Sequence, residues 1–253
     1  MGRIIAIANQ KGGVAKTTTA VNLASWIALM GRRVLLIDID PQGNATSGLG
    51  LDKDALEYTV YDAVINGVEV EKIIVESPIE NLFVLPARID LAGAEIEMVS
   101  VEGREFLLKK AIAGITGDYE IIIIDCPPSL GLITINALAA AGSVLIPIQC
   151  EYYALEGLGQ LLNTISLVQK GINEKLVIEG VLLTMFDGRT NLSIQVVDEV
   201  KKHFREKVYS SIIPRNVRLS EAPSHGKPVM VYDRRSRGAE VYHELAKEVL
   251  GIE

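Results

Sequence analysis

The chain has 253 residues, of which 49% are apolar and 23% are charged, and its net charge at pH 7 is −7. This size suffices for one large domain, and the regular spacing of the apolar runs predicts a single domain over residues 1–253. The acidic balance argues against a uniformly basic nucleic-acid-binding protein, although it is compatible with a local basic patch.

Other features of the sequence predict a soluble, cytoplasmic protein. The two cysteines, Cys126 and Cys150, lie inside apolar runs without metal-ligand spacing, a pattern typical of reduced and buried thiols. No apolar run reaches the roughly 18 to 20 residues of a membrane span, and the start of the chain has no signal-peptide or myristoylation pattern. We therefore expect no membrane attachment.

Short β-branched runs alternate with longer helical patterns along the chain. The runs are apolar throughout, which predicts strands buried on both faces, as in a parallel sheet covered by helices. We expect an α/β fold with a doubly wound, mostly parallel sheet and helices on both faces. The predicted strands are 4–8, 34–37, 82–85, 121–124, 144–148, 181–185 and 208–213.

The loop QKGGVAKTT, residues 10–18, lies between the first predicted strand and a helical segment that is predicted to end at Gly31. In this context the backbone N–H groups and the start of the helix bind phosphate, Lys16 neutralises the β/γ charge, and Thr17 ligates Mg²⁺. The usual P-loop pattern has glycine at the positions of Gln10 and Ala15. A left-handed backbone angle at Ala15 would cost roughly 1–2 kcal/mol.

Acidic residues follow two further predicted strands. Asp38 and Asp40 come after the second strand, and Asp125 ends the run at 121–124. The carboxylate of Asp125, at the end of its strand, is predicted to hold Mg²⁺ directly or through water. Because ligands bind at the carboxyl ends of parallel strands, we expect a site assembled from these separated segments.

The remaining segments are predicted as follows. Residues 43–50 and 91–105 are loops or short helices, and 239–250 is a helix that docks its apolar side on the core. Residues 201–237 contain ten Lys or Arg and three Asp or Glu, a local charge of +7 that contrasts with the rest of the chain. Such a patch favours contact with phosphate backbones.

The two lysines that flank the glycines, Lys11 and Lys16, make the loop resemble that of the deviant Walker A ATPases, whose pattern is K-G-G-x-G-K-[ST]. The resemblance implies that Lys11 contacts phosphate across a dimer interface, and that Asp40, in the segment LLIDIDPQGN, positions or activates the attacking water. The implied cofactors are ATP and Mg²⁺. The implied nucleotide-binding loop comprises Lys11, Gly12, Gly13, Val14, Ala15, Lys16, Thr17 and Thr18.

Further motifs resemble the ParA/Soj family of chromosome- and plasmid-partitioning ATPases over nearly the whole chain. They are DPQGNAT at 40–46, LAGAE at 91–95, QCEYYALEG at 149–157 and IPRNVRLSEAPSHG at 213–226. The chain begins directly at the P-loop strand, so we expect no N-terminal helix-turn-helix domain and no operator binding.

This second resemblance implies an ATP-dependent homodimer that binds double-stranded DNA without sequence preference at the nucleoid. It also implies a ParB-type centromere-binding partner that accelerates hydrolysis, and places adenine against Pro214 and Asn216. The implied DNA contacts are Arg189 and Arg218, with Lys201, Lys202, Arg234 and Arg235 as weaker candidates.

Two alternatives stay open. One is a membrane-positioning ATPase of the MinD kind, which would require lipid affinity; the acidic C-terminal segment lacks the basic amphipathic helix that such proteins use. The other is a small-molecule ligase of the dethiobiotin synthetase type, for which the match at 215–226 gives no support. Iron–sulfur relatives need a cysteine spacing that is absent here, and related tyrosine kinases need a tyrosine cluster.

Overall fold

The structure is a computed structural model that describes residues 2–151 and 156–252. Its centre is a seven-stranded sheet in the order β3-β4-β2-β5-β1-β6-β7. All neighbouring pairs are parallel except β3 and β4. The strands are β1 (Arg3–Ile7), β2 (Val34–Asp38), β3 (Val75–Glu76), β4 (Leu82–Leu85), β5 (Ile121–Asp125), β6 (Ser143–Gln149) and β7 (Val177–Thr184).

Ten α-helices lie between the strands or follow the last one within the described ranges. They are α1 (Lys16–Leu29), α2 (Asn44–Gly48), α3 (Leu91–Glu97), α4 (Leu107–Ile112), α5 (Leu132–Ala140), α6 (Glu156–Gly171), α7 (Asn191–Phe204), α8 (Val217–Glu221), α9 (Val229–Tyr232) and α10 (Arg237–Leu250). Short 3-10 turns and one π-helical turn (Asp62–Asn66) complete the connections.

Successive residues of the central strands face opposite sides of the sheet. Ile4 and Ala6 belong to a core with α3 to α7, whereas Ile5 and Ile7 belong to a second core with α1, α9 and α10. Strands that are apolar at every position are required for this arrangement, since both faces are buried. The predicted doubly wound fold with helices on both faces is confirmed.

One predicted strand is wrong: within residues 208–213 only Val208 forms an isolated bridge, to Val181 of β7. The amides of Ser210 and Ser211 each donate at 2.8 Å to the carboxylate of Glu248 on α10. Because these two donors are used by the helix, they are not available for a β ladder. Strand β3 was not predicted either, because its two residues are too few to show a pattern.

Other expectations are met by the structure. Gly31 follows α1 with φ 82°, the short helices α2 and α3 lie in the segments predicted as loops or short helices, and Cys126 and Cys150 are buried. Within the described ranges, every helix is too short or too polar to cross a membrane. Residues 152–155 of the QCEYYALEG motif lie outside the described residues, and the single-domain expectation stays a prediction.

Candidate nucleotide site

Hydrogen bonds anchor the loop between β1 and α1 to strands β6 and β7. Asn9 accepts from the Lys11 amide at 3.0 Å and donates to Pro147 O on β6 at 2.7 Å. The Thr184 hydroxyl, at the end of β7, donates to Val14 O at 3.1 Å. These bonds hold the loop against the carboxyl edge of the sheet, where the backbone N–H groups that open α1 lie.

Lys16 is 93% shielded from solvent, with 7% of its surface exposed. Its Nζ donates to the carbonyl of Lys11 at 3.0 Å, so the ammonium lies over its own loop. Burial lowers the pKa of Lys16, while Asp125 and Asp40 oppose that shift. The side chain is thus a buried cation within a group of carboxylates, suited to a polyphosphate.

Ala15 has φ 69° and ψ 32°, in the left-handed region, and forms the N-cap of α1. Its carbonyl accepts from the Thr19 amide at 2.9 Å, which opens the helix. The loop therefore keeps a backbone conformation that favours glycine, and the methyl group costs roughly 1–2 kcal/mol. The strain considered from the sequence is present in the structure.

Asp38 is fully buried, and both oxygens of its carboxylate accept hydrogen bonds. Oδ2 accepts from the amide and the hydroxyl of Thr46, both at 2.8 Å, and Oδ1 accepts from the Asp40 amide at 3.1 Å. Burial raises the pKa of Asp38 to about 6 although these hydrogen bonds lower it. Asp38 thereby fixes the loop that carries Asp40, whose own Oδ1 accepts from the Gln42 amide at 2.9 Å.

Asp125 lies beside Asp38 in the register of β5 and β2, and it differs in one respect. It is fully buried, and neither carboxylate oxygen accepts a hydrogen bond of normal geometry. Burial and the Asp38 charge raise the pKa of Asp125 well above its usual range, while the neighbouring Thr17 hydroxyl lowers it. A buried carboxylate without partners is costly unless a cation completes it.

The residues present fit a magnesium ion. Thr17 and Asp125 supply hard oxygen atoms next to the phosphate loop, and Mg²⁺ takes few protein oxygens when phosphate and water fill the other positions. The described ranges contain no group of three or more His, Cys, Asp or Glu side chains arranged to hold a metal by themselves. The structure brings the predicted pair, Thr17 and Asp125, together.

A cavity of about 410 Å³ opens beside the loop. The predicted adenine residues Pro214 and Asn216 line it together with Ala15 and Thr18. Asn216 also begins α8, where its side chain accepts from the Arg218 amide at 2.9 Å. The volume and the mixed apolar and amide lining suit a nucleoside.

Tyr242, which lines the same cavity from α10, was not predicted from the sequence. Its hydroxyl makes a 3.1 Å hydrogen bond with the hydroxyl of Thr19, in the first turn of α1, and burial raises the pKa of Tyr242. In the sequence Tyr242 looks like one more residue on the apolar face of the last helix, so no sequence signal pointed to its contact with the first turn of α1. Lys227 was missed too; it lines an adjacent cavity of about 390 Å³ with Thr17 and Asn44.

Lys11 is partly buried in the loop, and its ammonium forms no ion pair with any residue in the described ranges. Gly12 and Gly13, which follow it, are exposed. This end of the site is open, in contrast to the buried position of Lys16.

The predicted DNA-contact residues fall into separate groups. Arg189 precedes the first turn of α7, whereas Lys201 and Lys202 lie in its last turn, roughly 20 Å away along a 14-residue helix. Arg218 pairs with Asp233, the residue before Arg234 and Arg235. The structure therefore does not bring all six residues to one place.

Comparison with known proteins supports one family. Residues 2–178 match a family described as AAA domain. The sporulation initiation inhibitor protein Soj of Bacillus subtilis is 66% identical over 98% of this chain and 98% of its own. The chromosome partitioning protein ParA of Myxococcus xanthus is 55% identical over 99% of this chain and 88% of its own.

Solved structures give the same fold. Cobyrinic acid a,c-diamide synthase from Mycobacterium smegmatis, with bound ADP and magnesium, is 42% identical, with TM-score 0.87 and coverage of 99% of this chain and 94% of that one. The septum site-determining protein MinD from Pyrococcus horikoshii, complexed with Mg-ADP, is 28% identical, with TM-score 0.81 and coverage of 98% and 96%.

Proposed function

The chain belongs to the AAA domain family and, within it, to the Soj and ParA group of chromosome-partitioning ATPases, and we propose that it partitions DNA through an ATP-dependent cycle of dimerisation and DNA binding. It is an ATP hydrolase whose cofactors are ATP and Mg²⁺. The single observation that carries the chemistry is the fully buried, unpartnered carboxylate of Asp125 beside Thr17 at the phosphate loop.

Nucleotide binding follows from the geometry of the loop. The N–H groups at the start of α1 and the ammonium of Lys16 bind the phosphates, and the base enters the cavity lined by Pro214 and Asn216. Thr17 and Asp125 would hold the magnesium ion, which would neutralise phosphate charge. Lys16 exchanges its hydrogen bond to the Lys11 carbonyl for phosphate oxygens, a charge-assisted and stronger contact.

Hydrolysis depends on Asp40. Asp38 and the Gln42 amide hold this residue in place at the carboxyl edge of the sheet, so that its carboxylate orients the attacking water. Because Asp40 orients the water and does not remove its proton, hydrolysis is slow. Slow turnover suits a protein that uses ATP as a switch.

The second copy of the chain completes the site. Lys11 lies at the open end of the loop and has no carboxylate partner among the described residues, and across a two-fold interface it reaches the phosphate of the other protomer. ATP thereby favours the dimer, and loss of the γ-phosphate releases it.

The dimer binds double-stranded DNA without sequence preference. Doubling the basic surface roughly doubles the phosphate contacts, so affinity rises steeply on dimerisation and falls steeply with salt. A ParB-type centromere-binding partner accelerates hydrolysis and resets the cycle. With this DNA binding, the protein acts at the nucleoid, in the cytoplasm.

The comparisons weigh against the alternatives. The Soj protein of Bacillus subtilis and the ParA protein of Myxococcus xanthus are 66% and 55% identical to the chain, whereas the solved MinD is 28% identical. The 42% identical solved structure is named a diamide synthase, so a ligase activity is the alternative to be tested.

The experiment measures dimerisation by light scattering and binding to a short DNA duplex of arbitrary sequence, each with ATP and Mg²⁺, with ADP, and without nucleotide. ATP alone is expected to give a dimer that binds DNA in a salt-sensitive manner. A monomer in all three conditions, or lipid vesicle binding without DNA binding, would contradict the proposal. Turnover of ATP only in the presence of a carboxylic acid and an amine donor would support the ligase.

A further inference from the structure

Three arginines project from two adjoining segments at the carboxyl edge of β7. Phe186 donates to Ile213 O and accepts from the Arg215 amide, both at 3.0 Å, which ties the segment that bears Arg189 to the segment that bears Arg215 and Arg218. We call Arg189, Arg215 and Arg218 the arginine edge. Arg215 was not among the residues expected from the sequence to contact DNA.

Arg189 is held by a two-point ion pair with Asp187. Nε donates to Oδ1 at 2.8 Å and Nη2 donates to Oδ2 at 2.7 Å, while the Arg189 amide donates to Oδ1 at 3.1 Å. The arginine side chain is 87% exposed and the aspartate side chain 20%. These contacts hold the pKa of Asp187 well below its usual range, so the carboxylate stays charged.

The other two arginines also carry carboxylate partners. Arg215 pairs with Glu151 at 3.0 Å, and Arg218 pairs with Glu221 at 2.8 Å and with Asp233 at 3.2 Å. All three guanidinium groups are therefore paired while half or more of each side chain is exposed.

Exposed pairs of this kind are weak in water, with a typical worth of about 0–1 kcal/mol. A guanidinium fork binds a phosphate by the same two-point geometry that it uses for a carboxylate. A phosphodiester oxygen can therefore take the place of each carboxylate at little cost. The carboxylate acts as an internal competitor for the same fork.

We propose that the arginine edge is a phosphodiester-binding surface in which Arg215 acts with Arg189 and Arg218, and in which Asp187 lowers the affinity by competing for Arg189. The proposal rests on the DNA binding proposed above and names the residues that set its strength. Lys201 and Lys202, at the far end of α7, lie outside this surface.

The test uses the full chain with ATP and Mg²⁺ and a fluorescent duplex of arbitrary sequence, over a series of salt concentrations. Asp187→Asn keeps an oxygen for the Arg189 amide and removes the competing charge, so DNA binding should tighten about two- to five-fold. Asp198→Asn is the matched control, because Asp198 is exposed on α7 and makes no ion pair within the described residues. It should change affinity far less, since distant charges are screened by salt.

A double variant distinguishes competition from a general charge effect. In the Arg189→Ala background, Asp187→Asn should no longer tighten binding, because its fork is gone. Arg215→Ala should weaken DNA binding and reduce the salt slope by about 0.9. Since Arg215 also lines the nucleotide cavity, ATP affinity is measured on the same samples.

The proposal is overturned if Asp187→Asn and Asp198→Asn tighten binding equally, or if neither does. Should Asp187→Asn fail to fold by circular dichroism, Glu221→Gln carries the same expectation through Arg218. Failure of the unsubstituted chain to bind DNA at any salt, with ATP binding and dimerisation intact, would reject the proposed DNA binding itself and this surface with it.

Discussion

The nucleotide site and the arginine edge treat charge in opposite ways. At the nucleotide site Asp125 is fully buried and neither of its oxygens accepts a hydrogen bond of normal geometry, whereas at the arginine edge every exposed guanidinium has a carboxylate. Burial makes an unpaired charge costly, so the first site gains much when a cation arrives. Exposure makes a pair weak, so the second site can exchange partners freely.

The largest effect that separates the two regions is expected at Asp40. Asp40→Ala removes the carboxylate that orients the attacking water and should reduce ATP turnover by about 100-fold or more, while ATP binding and the dimer persist. The measurement is steady-state phosphate release alongside light scattering. Asp54→Ala, on an exposed turn of the same connection, is the control and should keep turnover near that of the unsubstituted chain. Turnover that survives Asp40→Ala would remove this residue from the chemistry.

The second prediction concerns Asp125 and the cost of its burial. The folded chain raises the pKa of this carboxyl, so between the ordinary value and the raised value it binds more protons than the unfolded chain does. Stability without nucleotide therefore falls as pH rises through that window, and Asp38 contributes in the same direction from about 4 to about 6. Asp125→Asn should flatten this fall and raise the melting temperature at pH 7 by about 2 °C or more.

The same variant should lose the stabilisation by ATP with Mg²⁺, because the cation has lost its charged ligand. Thermal melts from pH 4 to pH 8, with and without nucleotide, check both parts. A lower melting temperature of the nucleotide-free variant at neutral pH would show that the unpartnered carboxylate is not a cost.

The third prediction concerns the backbone strain at Ala15 in the phosphate loop. Ala15→Gly places glycine at φ 69° and should raise the free energy of unfolding by up to about 1–2 kcal/mol, less the chain entropy that glycine adds to the unfolded state. ATP affinity should rise as well, since the methyl group no longer crowds the phosphates. Urea unfolding and nucleotide titration measure the two effects. Identical behaviour of the two proteins would show that the loop accommodates Ala15 without cost.

The smallest effect is expected at the surface. Lys202→Ala breaks a 3.5 Å pair with Glu199 between exposed side chains and should change stability by less than about 0.5 kcal/mol. DNA affinity should change little too, because Lys202 lies outside the arginine edge. A loss of affinity as large as that of Arg215→Ala would extend the DNA surface to both ends of α7.

Several parts of the site could be predicted from the amino-acid sequence alone. The glycine loop, its lysines and the aspartates after apolar runs carry their chemistry in local spacing, and the carboxyl ends of parallel strands meet at one edge. This brings Lys16, Thr17 and Asp125 together. Tyr242 and Lys227 could not be predicted in the same way, because the residues of α1 and α2 that lie near them are more than 170 residues away in the chain.

Residues 208–213 show why a strong local pattern can mislead. The segment has the β-branched composition of a strand, yet Glu248 on the last helix captures two of its amides. Composition measures only what a segment prefers, and a competing hydrogen-bond acceptor from a distant helix decides the outcome.

The sequence by itself determined the class of fold, the phosphate loop and the buried strands, because these depend on apolar periodicity and on residues adjacent in the chain. Only the tertiary structure decided the left-handed angle at Ala15, the difference between the satisfied Asp38 and the unpartnered Asp125, and the pairing of each arginine with its carboxylate. Hydrogen-bond partners, ion-pair partners and backbone strain arise from packing between segments that are distant in the chain, so local sequence patterns do not reveal them.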